Sequence, residues 1–394
     1  MSKARLITPA RIRWTIYIFI VGAMAYHVQY GIKIRRDITY WEWNPVKADQ
    51  LLMLDSATVT LWEMQSLWGI TPVRQFRPGT IISSSTGGKL QPSPKCVQFS
   101  PDGKSLAFGD EVGHVYMVAN IDEGSVPVRL NGSGARMLRL SFSPDGQYLA
   151  VGDIAGKLMI WTLAQSAPPR VLSGAGGAII AIAFSSDSQH VAAASEHEVV
   201  IWKTSGEQRA RIPVERGEVS QLAFALDDTV LIVSATNVEY SFWTLDGRTA
   251  MPSVESEGPF DFMSVEIASI ALLGENDLMA CSQTGDAISI WSLKPLKRIK
   301  LIEGGQWPLE VFKASPDRES FWTLDGRGTL MRFSKDGDVL GGPFSVGGSK
   351  RSHLAISCDG KFVVAIDPDG RIDVVDSKDI RSNWGTPQES PPNE

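Results

Sequence analysis

The sequence holds few residues whose types and spacing suit catalysis. Its five histidines, at positions 27, 114, 190, 197 and 353, are scattered along the chain. An HExxH zinc pair, a GxSxG nucleophile elbow or a GxxxxGK[ST] phosphate loop would indicate an enzyme, and the chain contains none of these motifs. His114, His190 and His197 fall in or beside predicted turns, where we expect solvated side chains. We therefore predict no catalytic residues and no bound cofactor.

The three cysteines, Cys96, Cys281 and Cys358, are far apart. This spacing excludes a disulfide framework and the CxxC pairs of a zinc site. The net charge of −6 argues against a general nucleic-acid-binding protein, which would carry a basic surface. The 36 glycines, 22 prolines and 12 tryptophans instead indicate many turns and large aromatic side chains, as in a β-rich repeat protein.

Aspartates recur at one point of a repeated strand–turn–strand pattern: Asp110, Asp153, Asp325 and Asp369. One interpretation is a calcium site built from Asp367, Asp369 and Asp373. The other is a turn in which each carboxylate accepts hydrogen bonds from the backbone N–H groups of its own turn. We favour the turn and predict no metal site.

The pattern is clearest between Leu138 and Leu163. Leu138, Leu140 and Phe142 alternate with polar residues, which predicts a strand. The SPDG sequence that follows predicts a turn. YLAVGD then predicts a buried second strand, KLMIWTL a third that contains Trp161, and RVLSG a fourth, outer strand.

Eight such units follow one another from residue 41 to residue 377. Their third strands carry one matched position, spaced mostly by 41 to 44 residues: Trp62, Met117, Trp161, Trp202, Trp243, Trp291, Arg332 and Val375. This period is typical of a four-stranded propeller blade.

These units resemble the WD-repeat β-propeller family. The resemblance rests on the FSPDG turns at Phe99–Gly103 and Phe142–Gly146, and on the IWT, IWK, FWT and IWS third strands. It implies an all-β fold with a single propeller, most simply of eight blades, with seven as the alternative. The family's Trp-Asp dipeptide and the Gly-His dipeptide before the first strand are missing, so its Asp–His–Ser–Trp network cannot be intact. Blade packing must then rest on apolar burial.

The repeat tryptophans are expected to fill the interfaces between blades: Trp62, Trp161, Trp202, Trp243 and Trp291. Arg332 and Val375 lack such a ring, so we expect their blades to be looser or differently packed.

Three segments are predicted along the chain. Residues 28–380 form the propeller, residues 381–394 form a polar, Pro-rich tail, and residues 1–27 form a basic and apolar N-terminal segment. The sequence VQYGIKIRRDITY, which precedes the first unit, could supply the outer strand of the last blade. Propellers of this family commonly close in that way.

The N-terminal run Trp14–Tyr26 is uncharged and has basic residues on both sides. One interpretation is an uncleaved membrane anchor, although a span needs about 20 apolar residues. A second is a signal peptide cleaved near Ala25, which would export the protein. A third is a buried element of the fold in a cytoplasmic protein. We expect membrane association, and the slight excess of basic residues before the run favours the N-terminus in the cytoplasm.

For function, the resemblance implies a non-catalytic, monomeric scaffold that binds protein partners through its loop faces. The candidate partner-binding residues are large or charged residues of predicted loops: Arg136, Arg139, Arg216, Glu218, Trp307, Glu310 and Arg351. The alternative is a propeller enzyme or a small-ligand sensor with a site at the central channel. A purely structural, membrane-tethered domain is a third hypothesis.

Overall fold

The computed structural model describes residues 31–33, 38–55, 58–66, 69–78, 81–82, 89–90, 92–165, 167–173, 176–214, 218–235, 239–255, 270–275, 277–282, 287–302, 309–346, 353–366 and 371–377. These residues form eight four-stranded antiparallel sheets, which follow one another as blades of a propeller. The prediction of an all-β, eight-bladed propeller is confirmed.

The first strand of the chain, β1 (Gly31–Lys33), belongs to the last blade. Blades 1 to 4 each contain four consecutive strands: β2 (Ile38–Trp43), β3 (Gln50–Asp55), β4 (Val59–Ser66) and β5 (Gly69–Phe76); then, after a hairpin of β6 (Ile81–Ile82) and β7 (Lys89–Leu90), β8 (Pro94–Phe99), β9 (Leu106–Asp110), β10 (Val115–Val118) and β11 (Val128–Leu130); β12 (Met137–Phe142), β13 (Tyr148–Asp153), β14 (Lys157–Thr162) and β15 (Arg170–Ser173); β16 (Ala181–Phe184), β17 (His190–Ala194), β18 (Glu198–Lys203) and β19 (Gln208–Pro213).

Blades 5 to 8 continue the same order: β20 (Val219–Ala225), β21 (Val230–Ala235), β22 (Glu239–Thr244) and β23 (Thr249–Glu255); β24 (Ile270–Leu273), β25 (Leu278–Ser282), β26 (Ile288–Leu293) and β27 (Leu296–Ile302); β28 (Leu309–Ala314), β29 (Ser320–Asp325), β30 (Thr329–Ser334) and β31 (Val339–Ser345); β32 (His353–Ile356), β33 (Phe362–Ile366) and β34 (Arg371–Asp376), completed by β1. One short 3₁₀ helix, Ile121–Glu123, follows β10.

The first strands of successive blades contact one another all the way round, from β2 through β32 and back to β2. They therefore line the central channel, and the fourth strands form the outer rim. Each second strand lies between the first and third strands of its sheet, and its two faces pack against the two neighbouring blades. The strand is therefore buried on both faces, as the apolar run of β13 shows.

The apolar core is divided among the interfaces between blades. Eight clusters of buried side chains occur in the described chain, and each draws its members from two consecutive blades. The eighth cluster joins Trp41 and Trp43 of blade 1 to Ala355 and Val364 of blade 8. Because each blade buries its two faces against two different neighbours, the sheets depend on the closed ring.

The third-strand tryptophans pack against the preceding blade, as predicted. Trp161 lies in the cluster shared by blades 2 and 3, and Trp202 in the cluster shared by blades 3 and 4. Both are almost completely buried, whereas Trp62, Trp243 and Trp291 are partly buried in their own interfaces.

Two of the predicted repeat positions were wrong by one residue. Strand pairing aligns Val118, not Met117, with Trp161. Trp161 pairs with Leu149, which pairs with Phe142 at the end of its first strand. Val118 holds the same place, since it pairs with Leu106, which pairs with Phe99 at the end of its first strand. The same pairing selects Phe333, not Arg332. Val118 and Phe333 are buried against the preceding blade, so blade 7 does have an aromatic ring at this position. Sequence spacing misplaced them because neither is a tryptophan.

Arg332 occupies the opposite face of β30. Its guanidinium lies 5.3 Å from the ring of Trp322 and donates hydrogen bonds to Ser320 Oγ. The basic side chain is therefore satisfied by its own blade.

In blades 1, 4, 5, 6 and 7, the outer strand has a bulge beside the repeat position of the third strand, which is Trp62 in blade 1. The bulged residue is unpaired, and four of these five outer strands also contain a proline: Pro72, Pro213, Pro252 and Pro343.

The ring closes through the N-terminal strand. Gly31, Ile32 and Lys33 of β1 pair with Asp373, Ile372 and Arg371 of β34. The prediction that this segment supplies the outer strand of the last blade is confirmed. The run Trp14–Tyr26 and the tail 381–394 lie outside the described residues, and the segment boundaries stay a prediction.

Removing residues 1–33 should lower the melting temperature, because it deletes the strand that joins the two chain ends. Removing residues 1–26 leaves β1 in place and should not. Thermal unfolding of both truncated chains and the full chain tests this closure. Equal melting of the two truncated chains would contradict it.

Trp202→Ala should destabilise the whole ring by about 3–5 kcal/mol, because it opens a large cavity between blades 3 and 4. Lys203→Ala, at the neighbouring exposed position, is the matched control and should change stability by less than about 1 kcal/mol. Denaturant unfolding of both variants measures the difference. Similar losses in the two variants would show that Trp202 has no such role.

Candidate partner-binding surface

The turn between the second and third strands is held by its aspartate. Asp153 Oδ1 accepts hydrogen bonds from the backbone N–H groups of Ala155 and Lys157, both at 2.9 Å. Asp110 and Asp325 accept equivalent pairs of bonds. The turn interpretation is thus confirmed for these three aspartates. Of the alternative calcium ligands, Asp373 is buried in β34, and Asp367 and Asp369 lie outside the described residues.

The prediction of a solvated His114 was wrong. Its Nδ1 lies 3.0 Å from Oδ2 of Asp110, which is fully buried, and the hydroxyl of Tyr116 donates to the same oxygen at 3.3 Å. His190 is half-buried, whereas His197 is exposed as expected. The i, i+4 spacing of Asp110 and His114 was the signal in the sequence for this contact.

The turn between the first and second strands lies at the other end of each blade. Ser100 Oγ donates to Asp102 at 2.5 Å and accepts from the backbone N–H of Ser105 at 3.0 Å. The hydrogen bond from Ser100, with another from Lys104 N–H, lowers the pKa of Asp102. Ser143, Ser185 and Ser357 make the same contacts in blades 3, 4 and 8.

The propeller thus has two distinct ends. We call the end with Asp110, Asp153 and Asp325 the aspartate face, and the end with the Ser100-type turns the serine face. First strands begin at the aspartate face, since each of these aspartates pairs with the first residue of its neighbouring first strand.

The predicted partner-binding residues do not form one described cluster. Arg136 is exposed on the aspartate face, where its carbonyl accepts from Ile154 N–H at 2.9 Å. Glu218 is exposed just before β20, Arg139 is exposed within β12, and Glu310 belongs to β28. Three others lie outside the described residues: Arg216, Trp307 and Arg351. Their common role stays a prediction.

Sequence reasoning missed the apolar part of this surface. Ile154, at the tip of the turn in blade 3, is 45% exposed, and Lys157 beside it is exposed as well. With Arg136 they form a patch that is basic and apolar. The next blade differs in charge, since its turn carries the exposed Glu196 and the partly buried Glu198, which Arg211 binds at 2.7 Å.

Polar side chains of the first strands join neighbouring blades at the channel wall. Glu42 Oε2 accepts from Phe99 N–H of the next blade at 3.2 Å, and Gln98 Oε1 accepts from Phe142 N–H at 3.0 Å. Burial raises the pKa of Glu42 to about 7, while the Phe99 hydrogen bond and the Lys313 charge oppose this shift. Side chains of the first strands therefore bond neighbouring blades together around the channel.

No group of three or more His, Cys, Asp or Glu side chains in the described ranges could hold a metal ion. Burial raises the pKa of the Cys96 thiol to about 12, so this buried cysteine stays protonated.

The family model for "WD domain, G-beta repeat" matches residues 125–162 and 166–203. Each match spans the end of one blade and the first three strands of the next. Two segments of the chain therefore match the WD40 repeat. Four-stranded blades with the same register extend this architecture around the whole ring.

Two solved structures share the fold. The C-terminal WD40 domain of Sif2 is 14% identical, with a TM-score of 0.69, and the match covers 89% of this chain and 98% of that domain. The crystal structure of the computationally designed protein Ika8 is 16% identical, with a TM-score of 0.66, covering 87% of this chain and 97% of the designed chain. Among curated proteins, none matches the chain.

In the part of the chain that the structure describes, no helix is long and apolar enough to cross a membrane. The candidate anchor Trp14–Tyr26 is not among those residues.

Glu42→Gln should stabilise the protein at neutral and alkaline pH. Glu42 titrates at about 7 in the folded chain and at an ordinary value of 4.5 when unfolded, so its protonation favours folding. That contribution is lost as the pH rises from 4.5 to about 7, and the variant should then be more stable by about 3 kcal/mol. A glutamine can still accept from Phe99, as Gln98 does from Phe142.

Denaturant unfolding of the wild type and of Glu42→Gln across this pH range measures the effect. A stability difference that does not vary with pH would contradict the raised pKa.

Proposed function

We propose that this WD40 propeller is a non-catalytic scaffold that binds protein partners through its loop faces. The observation that supports it most directly is the exposed patch of Arg136, Ile154 and Lys157 on the aspartate face of blade 3. Arginine and exposed apolar side chains are common anchors of protein interfaces.

The turns beneath the patch make it a pre-formed surface. Asp153 fixes the turn that carries Ile154, and the Ile154 N–H fixes the carbonyl of Arg136. A surface held in its bound shape loses little conformational entropy on association. The carboxylates of these turns serve the fold, which fits a binding role better than acid–base catalysis.

The second candidate is a small-ligand sensor or an enzyme that acts at the central channel. This candidate is favoured by the polar first-strand residues Glu42 and Arg139, because a purely apolar channel would offer a ligand no hydrogen-bonding groups. An enzyme there would need converging acids and bases, and turnover of a substrate lost on changing Glu42 would identify it.

A membrane tether through Trp14–Tyr26 is part of the proposal. The run is uncharged with basic flanks, so it suits an anchor better than a solvated terminus. Alkaline carbonate extraction should leave the full chain in the membrane pellet and release a chain that starts at His27. Release of both would refute the tether, and a mature chain beginning at Tyr26 would show signal cleavage.

For the binding face, affinity capture from native lysate should recover a partner with the wild-type protein. The doubly substituted Arg136→Glu/Ile154→Asp protein should lose at least about nine-tenths of it, as expected for hot-spot residues. Gln147→Glu, in the exposed serine-face turn of the same blade, is the matched control and should retain it. Loss in the control alone would place the interface on the serine face and refute the proposal.

A further inference from the structure

The rim between blades 2 and 3 exposes apolar side chains on both of its walls. Val128 of β11 is 60% exposed, and Val171 of β15 is 51% exposed. Val128 pairs with Met117 and Val171 with Met159, and both methionines belong to the cluster that joins these two blades. The two valines therefore face one cleft, which we call the blade 2/3 cleft. Partly buried members of the same cluster line it as well: Met117, Leu130 and Leu163.

In three other blades a cation occupies the position of Val128. This position pairs with the residue just before the repeat position of the third strand, and it holds Arg74, Arg170 and Lys300 in blades 1, 3 and 6. Each cation donates a hydrogen bond to the next blade, and the acceptors are the Ile121 carbonyl, the Thr204 carbonyl and Asp338 Oδ1, respectively. Val128 has no side-chain donor, so it cannot bridge blades 2 and 3 in this way.

The turn after the third strand also differs in blade 3. In blades 4, 5 and 7, a glycine N–H in this turn bonds to the carbonyl three residues earlier: Gly206, Gly247 and Gly337. A Cβ at Gly206 would lie 2.6 Å from Arg170 Cδ of the preceding blade, so the glycine permits a close contact. In blade 3, Gln165 makes the same bond to Thr162 at 3.0 Å. Because Gln165 has a Cβ, its turn cannot approach β11 as closely, and the blade 2/3 cleft stays open.

The edge of β11 is suited to pairing with another strand. β11 and β15 pair with their neighbours without a bulge, unlike the outer strands of blades 1, 4, 5, 6 and 7. A regular edge presents unpaired N–H and C=O groups to which an extended segment can bond. β15 is less suited than β11, since its Arg170 is already bound to blade 4.

The charge of β11 selects what such a segment carries. Arg129, between Val128 and Leu130, is exposed and is the only charged residue of this strand. It pairs with Tyr116 and points away from the cleft, and it makes no ion pair within the described chain. Two acids, Asp122 and Glu123, precede the strand in the serine-face turn, where Lys47 binds Asp122.

A carboxylate directly opposite Arg129 would therefore be favoured. A second copy of β11 would not, because an antiparallel pair centred on this residue sets two arginines opposite each other, and like charges in that place are destabilising. The edge thus fits a different chain better than a copy of itself.

We propose that β11 binds an extended segment of a protein partner that carries an acidic residue between two β-branched apolar residues. The acid lies opposite Arg129, and its apolar neighbours lie opposite Val128 and Leu130, with Val171 on the other wall of the cleft. Backbone hydrogen bonds hold the added strand, and the cleft selects its alternating side chains. This rim surface is separate from the basic and apolar patch on the aspartate face, so the inference goes beyond the proposed function.

The test uses fluorescence anisotropy of a short labelled peptide with Val-Glu-Val at its centre and Gly-Ser flanks, with the full chain. Wild-type protein should bind this peptide. It should bind matched Val-Lys-Val and Ser-Glu-Ser peptides about five-fold more weakly or worse, because the first loses the ion pair and the second loses the apolar contacts.

Arg129→Glu should weaken binding of the Val-Glu-Val peptide about five-fold and strengthen binding of the Val-Lys-Val peptide by a similar factor. Arg209→Glu, at the exposed arginine in the bulge of β19, is the matched control and should change either affinity less than about two-fold. Val128→Ser should weaken binding of the Val-Glu-Val peptide about five-fold. Thermal melts establish that the variants fold.

Hydrogen exchange distinguishes strand pairing from contact by side chains alone. With saturating Val-Glu-Val peptide, backbone amides of Val128–Leu130 should exchange more slowly, and those of β19 should not change. Absence of binding, equal binding of the three peptides, equal effects of Arg129→Glu and Arg209→Glu, or unchanged exchange in β11 would each overturn the proposal. So would a dimer of the chain that Val128→Ser abolishes, since a second copy would then occupy the cleft.

The peptide also separates this site from the loop face. Arg136→Glu/Ile154→Asp should bind the Val-Glu-Val peptide as the wild type does, whether or not it captures a partner from lysate. Loss of the peptide in this variant, with binding kept in Arg129→Glu, would place the peptide on the aspartate face and refute the rim site. Loss of the captured partner alone would leave the rim site standing.

Discussion

The burial of apolar side chains between neighbouring blades is the interaction on which the whole molecule depends. Each of the eight clusters in the described chain is shared by two blades, so no blade completes a core by itself. The last cluster needs both ends of the chain, and β1 supplies the pairing that holds them together. The loop faces and the channel therefore exist only once the ring is closed.

This constraint also explains how the chain departs from the WD40 pattern. The Trp-Asp dipeptide and the Gly-His dipeptide before the first strand are missing, yet the turn aspartates keep their backbone hydrogen bonds. In blade 2, the buried Asp110 takes His114 and Tyr116 as partners from its own turn and strand. The hydrogen bonds of these turn aspartates are thus local to one blade. The buried clusters between blades are apolar, and side chains such as Glu42 and Gln98 add hydrogen bonds between blades near the axis.

Much of this fold could be predicted because its signals are periodic. Repeat units spaced mostly by 41 to 44 residues, five of them with a third-strand tryptophan, predicted the number of blades, and the SPDG turns predicted the ends of the first strands. The third-strand position was misplaced at Met117 and Arg332, since Val118 and Phe333 look like any apolar residue until strands are paired. The channel wall was harder to predict. Arg139 was predicted in a loop, whereas it lies within β12 directly after a bulge that no local sequence pattern reveals.

The outer-strand bulges have a consequence for the protein at high local concentration. A sheet edge with regularly spaced unpaired N–H and C=O groups is a template on which another chain can add a strand. The bulges, together with Pro72, Pro213, Pro252 and Pro343, interrupt that template in five of the eight blades. Many copies held side by side on one surface can then remain separate rings, since their rims resist fusion into a continuous intermolecular sheet.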